Sequence, residues 1–160
     1  MVMLVKRFKD FLLETRVMDK DGYYYEEIKR DDLGAAWMEG YTYYLRKGKK
    51  SCGVIDLIVY HKGYMFIDGV DITPYKDILG DNFIYLFGIR ANVKGVGVML
   101  MSKVISESKK LGYDTIILSV HPDEDIEISK LIDFYEHFGF KIFYGKKMIS
   151  HTILMYLKIN

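Results

Sequence analysis

The segment Asn92-Val93-Lys94-Gly95-Val96-Gly97 carries two glycines one residue apart between an apolar run and an amphipathic one. A glycine turn that leads from a strand into a helix leaves the first amide N–H groups of the helix without intrahelical acceptors. Those groups, with the positive end of the helix dipole, suit a pyrophosphate. Glycine at positions 95 and 97 lets backbone approach phosphate with no Cβ in the way, and Lys94 adds a point charge. The same turn also serves as a plain strand-to-helix connection. It lacks the lysine-serine ending of a P-loop and the full dinucleotide fingerprint, so neither of those sites is expected.

Two other residues could move a proton. Asp56 lies within the apolar run 54–60, where desolvation would make it a stronger base; it is otherwise an edge-strand or solvent-facing acid. His121 follows the apolar run 115–120 and has the side chain suited to proton transfer near neutral pH; it is otherwise a loop residue beside Pro122. Cys52 is the single cysteine, which excludes an internal disulfide and a cysteine metal cage. It reads as a small buried strand residue. His61, His137 and His151 show no metal-ligand spacing, and no Cys-His or Ser-His-Asp set stands out, so neither a metal nor a covalent intermediate is expected.

Elements must position these groups. The chain has 160 residues, 50% of them hydrophobic, enough for a single well-cored domain over 1–160. Its net charge of +1 supplies no global field for nucleic acid, so no nucleic-acid partner is expected. The clusters Arg46-Lys47-Gly48-Lys49-Lys50 and Lys146-Lys147 read as solvated turns. No early apolar run reaches the length of a membrane span, and Lys6, Arg7, Lys9, Asp10 and Glu14 interrupt the first eighteen residues. A soluble cytoplasmic protein with no membrane contact is expected.

Leu4, Val5, Phe8, Leu12 and Thr15 recur at helical spacing, which predicts a first helix. Residues 19–22 read as a turn. The segment 31–44 is ambiguous between a helix capped at Asp31 or Asp32 and a strand near Tyr41. A hairpin turn at Lys47-Gly48-Lys49 and a strand over 52–60 follow. After a turn at His61-Lys62-Gly63 comes one strand or extended piece over 64–70, then a loop with a short helical turn over 71–81. The run 83–89 is the most apolar strand candidate and suits a central place in a sheet.

Beyond Gly97, Leu100, Met101, Val104, Ile105, Ser108 and Leu111 share one helical face, Lys103, Glu107 and Lys110 lie elsewhere, and Gly112 ends the helix. A short buried strand covers 115–120. Pro122 and the acids Asp123, Glu124 and Asp125 suit the start of a helix whose inner stripe is Ile128, Leu131, Ile132, Tyr135 and Phe138. Gly139 ends it. Closing strands are expected over 140–144 and 152–159. Helices interleaved with strands imply a mixed α/β (α+β) sheet. Tyr23-Tyr24-Tyr25, Trp37 and Tyr41-Thr42-Tyr43-Tyr44 could line an acceptor pocket or an interface, and core packing explains most of them.

The stretch 83–111 followed by Tyr135-Glu136-His137-Phe138-Gly139-Phe140 resembles the GNAT superfamily of acyl-CoA-dependent N-acyltransferases. That family writes its turn R/Q-x-x-G-x-G/A. Here the glycines and the lysine before the first of them match, and Asn92 stands where arginine or glutamine is usual, with Arg90 close by. The Tyr135 to Phe140 segment resembles the family's tyrosine-x-x-x-glycine-phenylalanine helix ending, and Cys52-Gly53 its strand-borne glycine. An asparagine two turns before the tyrosine is replaced by Ile128.

The resemblance implies a mixed, mostly antiparallel central sheet with a splayed strand pair, flanked by helices. Residues 52–158 would form the cofactor core and about 1–50 the acceptor side. It implies acetyl-CoA as co-substrate, held at Asn92, Val93, Lys94, Gly95, Val96 and Gly97 and by the backbone near Phe87 and Ile89. An acetyl group would pass by direct attack to an amine of a small molecule or protein, with Tyr135 as general acid to the departing thiolate. Relatives often place a glutamate base on the central strand; 83–89 has none, which leaves Asp56 or His121 or a water relay. A second reading keeps the fold as a non-catalytic binding module. Dimers are common in the family, and the apolar strand 153–157 could extend a sheet across a two-fold axis.

Overall fold

In a computed structural model of the chain the described residues are 21–30, 38–60, 66–121, 127–145 and 152–159. The expected first helix, the helix starting at Asp31 or Asp32, the turn at His61 and the acids Asp123 to Asp125 lie outside them.

Alternation of side chains builds the first unit, residues 1–61 with 86–107. Strands β1 (Tyr23–Arg30), β2 (Met38–Lys47) and β3 (Lys50–Tyr60) form an antiparallel meander. The β2–β3 connection is the expected hairpin, with Gly48 at φ +63°. From Val54 onward β3 alternates half-buried and buried, with Ile55, Leu57 and Val59 inward, so a one-residue slip would invert the face. β1 was not expected from sequence. β6 (Phe83–Ala91) follows β3 in the sheet and runs through both units.

α2 (Gly97–Lys110) also spans both. It buries Leu100, Met101 and Val104, as its spacing predicts, each worth about 1.5–3 kcal/mol against exposure. Glu107 departs from expectation, because it is buried with them. A Cβ on Gly53 would sit 2.8 Å from Leu100 Cδ1 and 3.0 Å from the Arg90 carbonyl oxygen, so β3 carries glycine where the helix and β6 press closest. α2 ends in a Schellman cap: Tyr113 N–H donates to Ser108 O and Gly112 N–H to Lys109 O, with Gly112 at φ +91°.

The second unit comprises 62–85 and 108–160. The expected single strand over 64–70 is instead a small hairpin, β4 (Phe66–Ile67) and β5 (Val70–Asp71), because Asp68 and Gly69 both take positive φ. Asp-Gly is the pair that a two-residue primed turn requires. A 3-10 turn (Thr73–Tyr75) and α1 (Lys76–Leu79) match the expected short helical turn. β7 (Thr115–Ser119) is buried at every residue, as a strand covered on both faces must be. α3 (Ile128–His137), β8 (Lys141–Tyr144) and β9 (Leu154–Lys158) complete the unit. α3 buries Ile132 and Tyr135 fully, and Ile128, Leu131 and Phe138 only in part.

The strands order β1-β2-β3-β6-β7-β9-β8 in one seven-stranded, mostly antiparallel sheet, and the α+β class is as expected. β9 pairs with β7 on one side and β8 on the other. The expectation that it extends a sheet to a second copy therefore fails at this strand, since both its edges are taken. No helix among the described residues is long and apolar enough to cross a membrane.

Candidate functional site

The turn from β6 into α2 behaves as its residue types require. Asn92 N–H donates to the Cys52 carbonyl at 2.8 Å, which pins the end of β6 to β3. Gly95 sits at φ +91° with nothing within 4 Å of a would-be Cβ, so conformation rather than crowding selects glycine there. Val96 is buried and anchors the turn, while Asn92, Lys94 and Gly95 face solvent. Leu100 N–H donates to Val96 O at 3.0 Å and begins the helical ladder. The N–H groups of Gly97, Val98 and Met99 precede it and point out of the helix end. Exposed lysine, a glycine clearing and three leading amides fit a phosphate group. All of them lie in the first unit.

Asp56 lies in the same unit. The sequence suggests either a desolvated base or an edge-strand or solvent-facing acid; β3 is interior to the sheet, between β2 and β6, which removes only the edge-strand reading. The carboxylate is half-buried on the face opposite Ile55 and Leu57. Thr42 stands directly across on β2 and its Oγ1 donates to Asp56 Oδ1 at 2.7 Å. A Cβ at Gly88 on β6 would lie 3.5 Å from Asp56 Oδ2. Gly88 sits between Phe87 and Ile89, the two residues whose backbone was expected to meet the pantetheine arm. Phe87 itself is 59% exposed, an unusual state for a phenylalanine at the centre of a sheet. The sequence offers Thr42 only as part of the segment Tyr41 to Tyr44 and does not single out Gly88; strand register brings them to Asp56.

In the second unit, Tyr135 is buried on α3 and packs its ring edge-on to Phe134 and Phe140, centroids 5.6 and 6.0 Å apart. Burial alone pushes the phenol up to about 12. The Tyr135-x-x-x-Gly139-Phe140 pattern has a second physical reason. Phe140 N–H donates to Tyr135 O and Gly139 N–H to Glu136 O, with Gly139 at φ +100°. That is a Schellman cap whose usual apolar contact is the Tyr135–Phe140 ring pair. Half of the motif is thus explained by ending a helix.

His121 is an exposed residue just past β7, with Nε2 3.5 Å from Asp68 Oδ2, and that same oxygen accepts Ser119 Oγ–H at 2.8 Å. Cys52 is buried, as expected. Among the described residues no cluster of His, Cys, Asp or Glu could hold a metal ion.

No family model matches the sequence, and no curated protein matches it. Solved structures do. A protein from Desulfovibrio desulfuricans, provisionally an acetyltransferase of the GNAT family, superposes with a TM-score of 0.54 at 12% identity, covering 76% of this chain and 69% of that one. A provisional streptothricin acetyltransferase from Bacillus anthracis, solved with acetyl coenzyme A, gives a TM-score of 0.50 at 20% identity over 75% of this chain and 62% of that one. At such identities the likeness is one of fold. The chain has the fold of the GNAT acetyltransferases.

Proposed function

We propose that the protein is an acyl-CoA-dependent N-acetyltransferase acting on an amine. The observation that carries this reading is the start of α2: Gly95 at φ +91° and the leading amides of Gly97, Val98 and Met99, at the end of β6, in an acetyltransferase fold. Bound there, acetyl-CoA would supply an activated acyl thioester. The chain's own residues would do the rest. Asn92, Val93, Lys94, Gly95, Val96 and Gly97 hold the phosphates by backbone and charge. The backbone at Phe87 and Ile89 orients the arm and polarises the acyl oxygen. Asp56 accepts a proton from the acceptor ammonium; its place beside Gly88 favours it over His121, whose nearest acid shares an oxygen with Ser119. Tyr135 gives its proton to the departing thiolate.

One observation favours a second reading, in which the fold binds the cofactor without turnover. A phenol held near 12 yields its proton at an added cost of about 3 kcal/mol relative to an ordinary tyrosine. Calorimetric titration with acetyl-CoA, with Gly97→Glu as control, tests both readings. Saturable binding lost in Gly97→Glu, with product from a panel of primary amines, is expected. Binding without any product selects the second reading, and no binding at millimolar cofactor sinks both.

A further inference from the structure

Two strand glycines of the first unit differ in what they are for. At Gly53 a side chain would collide with Leu100 and the Arg90 carbonyl, so packing accounts for the glycine. At Gly88 the nearest atom to a would-be Cβ is Asp56 Oδ2 at 3.5 Å, an ordinary contact, and φ is not positive. Neither crowding nor backbone conformation requires glycine there. A glycine within a strand costs about 0.5–1 kcal/mol, and a strand glycine that packing does not demand accompanies a bulge, a bend or the close approach of a ligand or another backbone; the open Cβ position at Gly88 fits the approach of a ligand.

What it keeps clear is one oxygen of one acid. Thr42 is buried, 4% exposed, and faces Asp56 in the β2–β3 register. As a β-branched residue it has little freedom at χ1. Its Oγ1–H occupies Asp56 Oδ1 at 2.7 Å, which fixes the plane of the carboxylate and leaves Oδ2 on the Gly88 side. Ile28 stands opposite Thr42 on β1. The row Ile28, Thr42, Asp56, Gly88 thus runs from an apolar end to a single directed carboxylate oxygen.

We propose that Thr42 is a positioning residue that turns Asp56 Oδ2 into the clearance at Gly88, and that this clearance receives the acceptor as an unhindered primary ammonium. The inference rests on the acetyltransferase reading. Asp56 Oδ2 takes one proton from the ammonium and releases it to solvent. The freed nitrogen pair forms the bond to the acyl carbon while the carbon–sulfur bond breaks; the sulfur takes the one proton that Tyr135 gives, and the second proton of the nitrogen replaces it.

The opening can be tested without turnover, by carbodiimide coupling of methylamine to the folded protein and peptide mass spectrometry at Asp56. Wild type and Thr42→Ser are expected to couple readily. Gly88→Ala, which fits without a clash, and Gly88→Val are expected to slow coupling several-fold. In a Thr42→Val background the carboxylate can turn away, so the Gly88 substitutions lose their effect. An uncoupled Asp56 in wild type overturns the proposal, as does coupling indifferent to residue 88 or a residue-88 effect that persists in Thr42→Val. Turnover of propylamine separates this from the parent reading. With the transferase reading correct, Thr42→Val lowers kcat, leaves acetyl-CoA affinity unchanged, and is rescued by Thr42→Ser; unchanged kcat overturns the positioning role. Coupling that follows the expected pattern in a protein with no amine turnover overturns the transferase reading and the reactive role of the ammonium together.

Discussion

Lys103 Nζ lies 3.0 Å from Glu107 Oε2, one turn apart on α2, and it is the other carboxylate oxygen, Oε1, that accepts the hydroxyl of Tyr43 from β2. Lys103 also sits 4.8 Å from the ring centre of Tyr25 and 5.3 Å from that of Tyr43. A buried acid is thereby satisfied from its own helix and from a strand 64 residues away in sequence. Burial first, and the Glu107 carboxylate second, hold the Tyr43 phenol far above its ordinary range.

The losses from removing Lys103 and from removing Glu107 should therefore not add. Unpairing a fully buried ion costs about 3–5 kcal/mol; Lys103 keeps 23% of its side chain in solvent, so Lys103→Met should lose about 2 kcal/mol. The double variant Lys103→Met with Glu107→Leu should lose less than the two single losses added. Urea midpoints for the four proteins of the cycle check this.

Ser108 gives the opposite sign. Its Oγ is fully buried and the one buried side-chain polar atom left without a hydrogen bond among the described residues. Ser108→Ala removes an unmet donor and raises helix propensity, so it should stabilise by about 1 kcal/mol. A lowered urea midpoint would contradict it.

Gly95→Ala forces an L side chain to φ +91°. It should cost about 1–2 kcal/mol of stability and weaken acetyl-CoA binding, because relief of the strain moves the leading amides. Denaturation and calorimetry on the same sample separate the two effects.

Tyr135 links stability to alkaline pH. Its folded pKa, about 12, exceeds the unfolded value near 10. Between those limits the unfolded chain has lost the proton and the folded one keeps it, so stability is whole below pH 10 and falls as pH rises toward 12. The loss reaches about 3 kcal/mol. Tyr135→Phe should lessen that slope, leaving the part contributed by the buried Tyr43 phenol, and leave stability at pH 7 nearly unchanged, as a series of urea melts would show.

Long periodic segments were legible. The spacing of Leu100, Met101 and Val104 places α2 correctly, and the apolar runs place β3, β6 and β7. β1 escaped because Tyr23 to Glu27 offers amphipathic rings and acids on both faces, so no alternation separates inside from outside. Asp68-Gly69 was a readable turn signal passed over within an apolar stretch. Helical spacing sets Glu107 off the apolar face, and partners from β2 and its own helix make its burial tolerable. At the candidate site the glycine turn could be read from residue types, whereas the meeting of Thr42, Asp56 and Gly88 is a matter of strand register, which local sequence does not encode.

β9 enters the sheet between β7 and β8, although β8 precedes it in the chain. During translation α3 and β8 are made before the strand that gives β8 its neighbour. Until β9 is in place Lys141, Ile142 and Tyr144 have no adjacent backbone to pair with, and the Ile116 to Leu118 row of β7 is open along one side. Loss of β9 alone would therefore leave two strands without a partner at once, β7 along one side and β8 along the side it shares with β9.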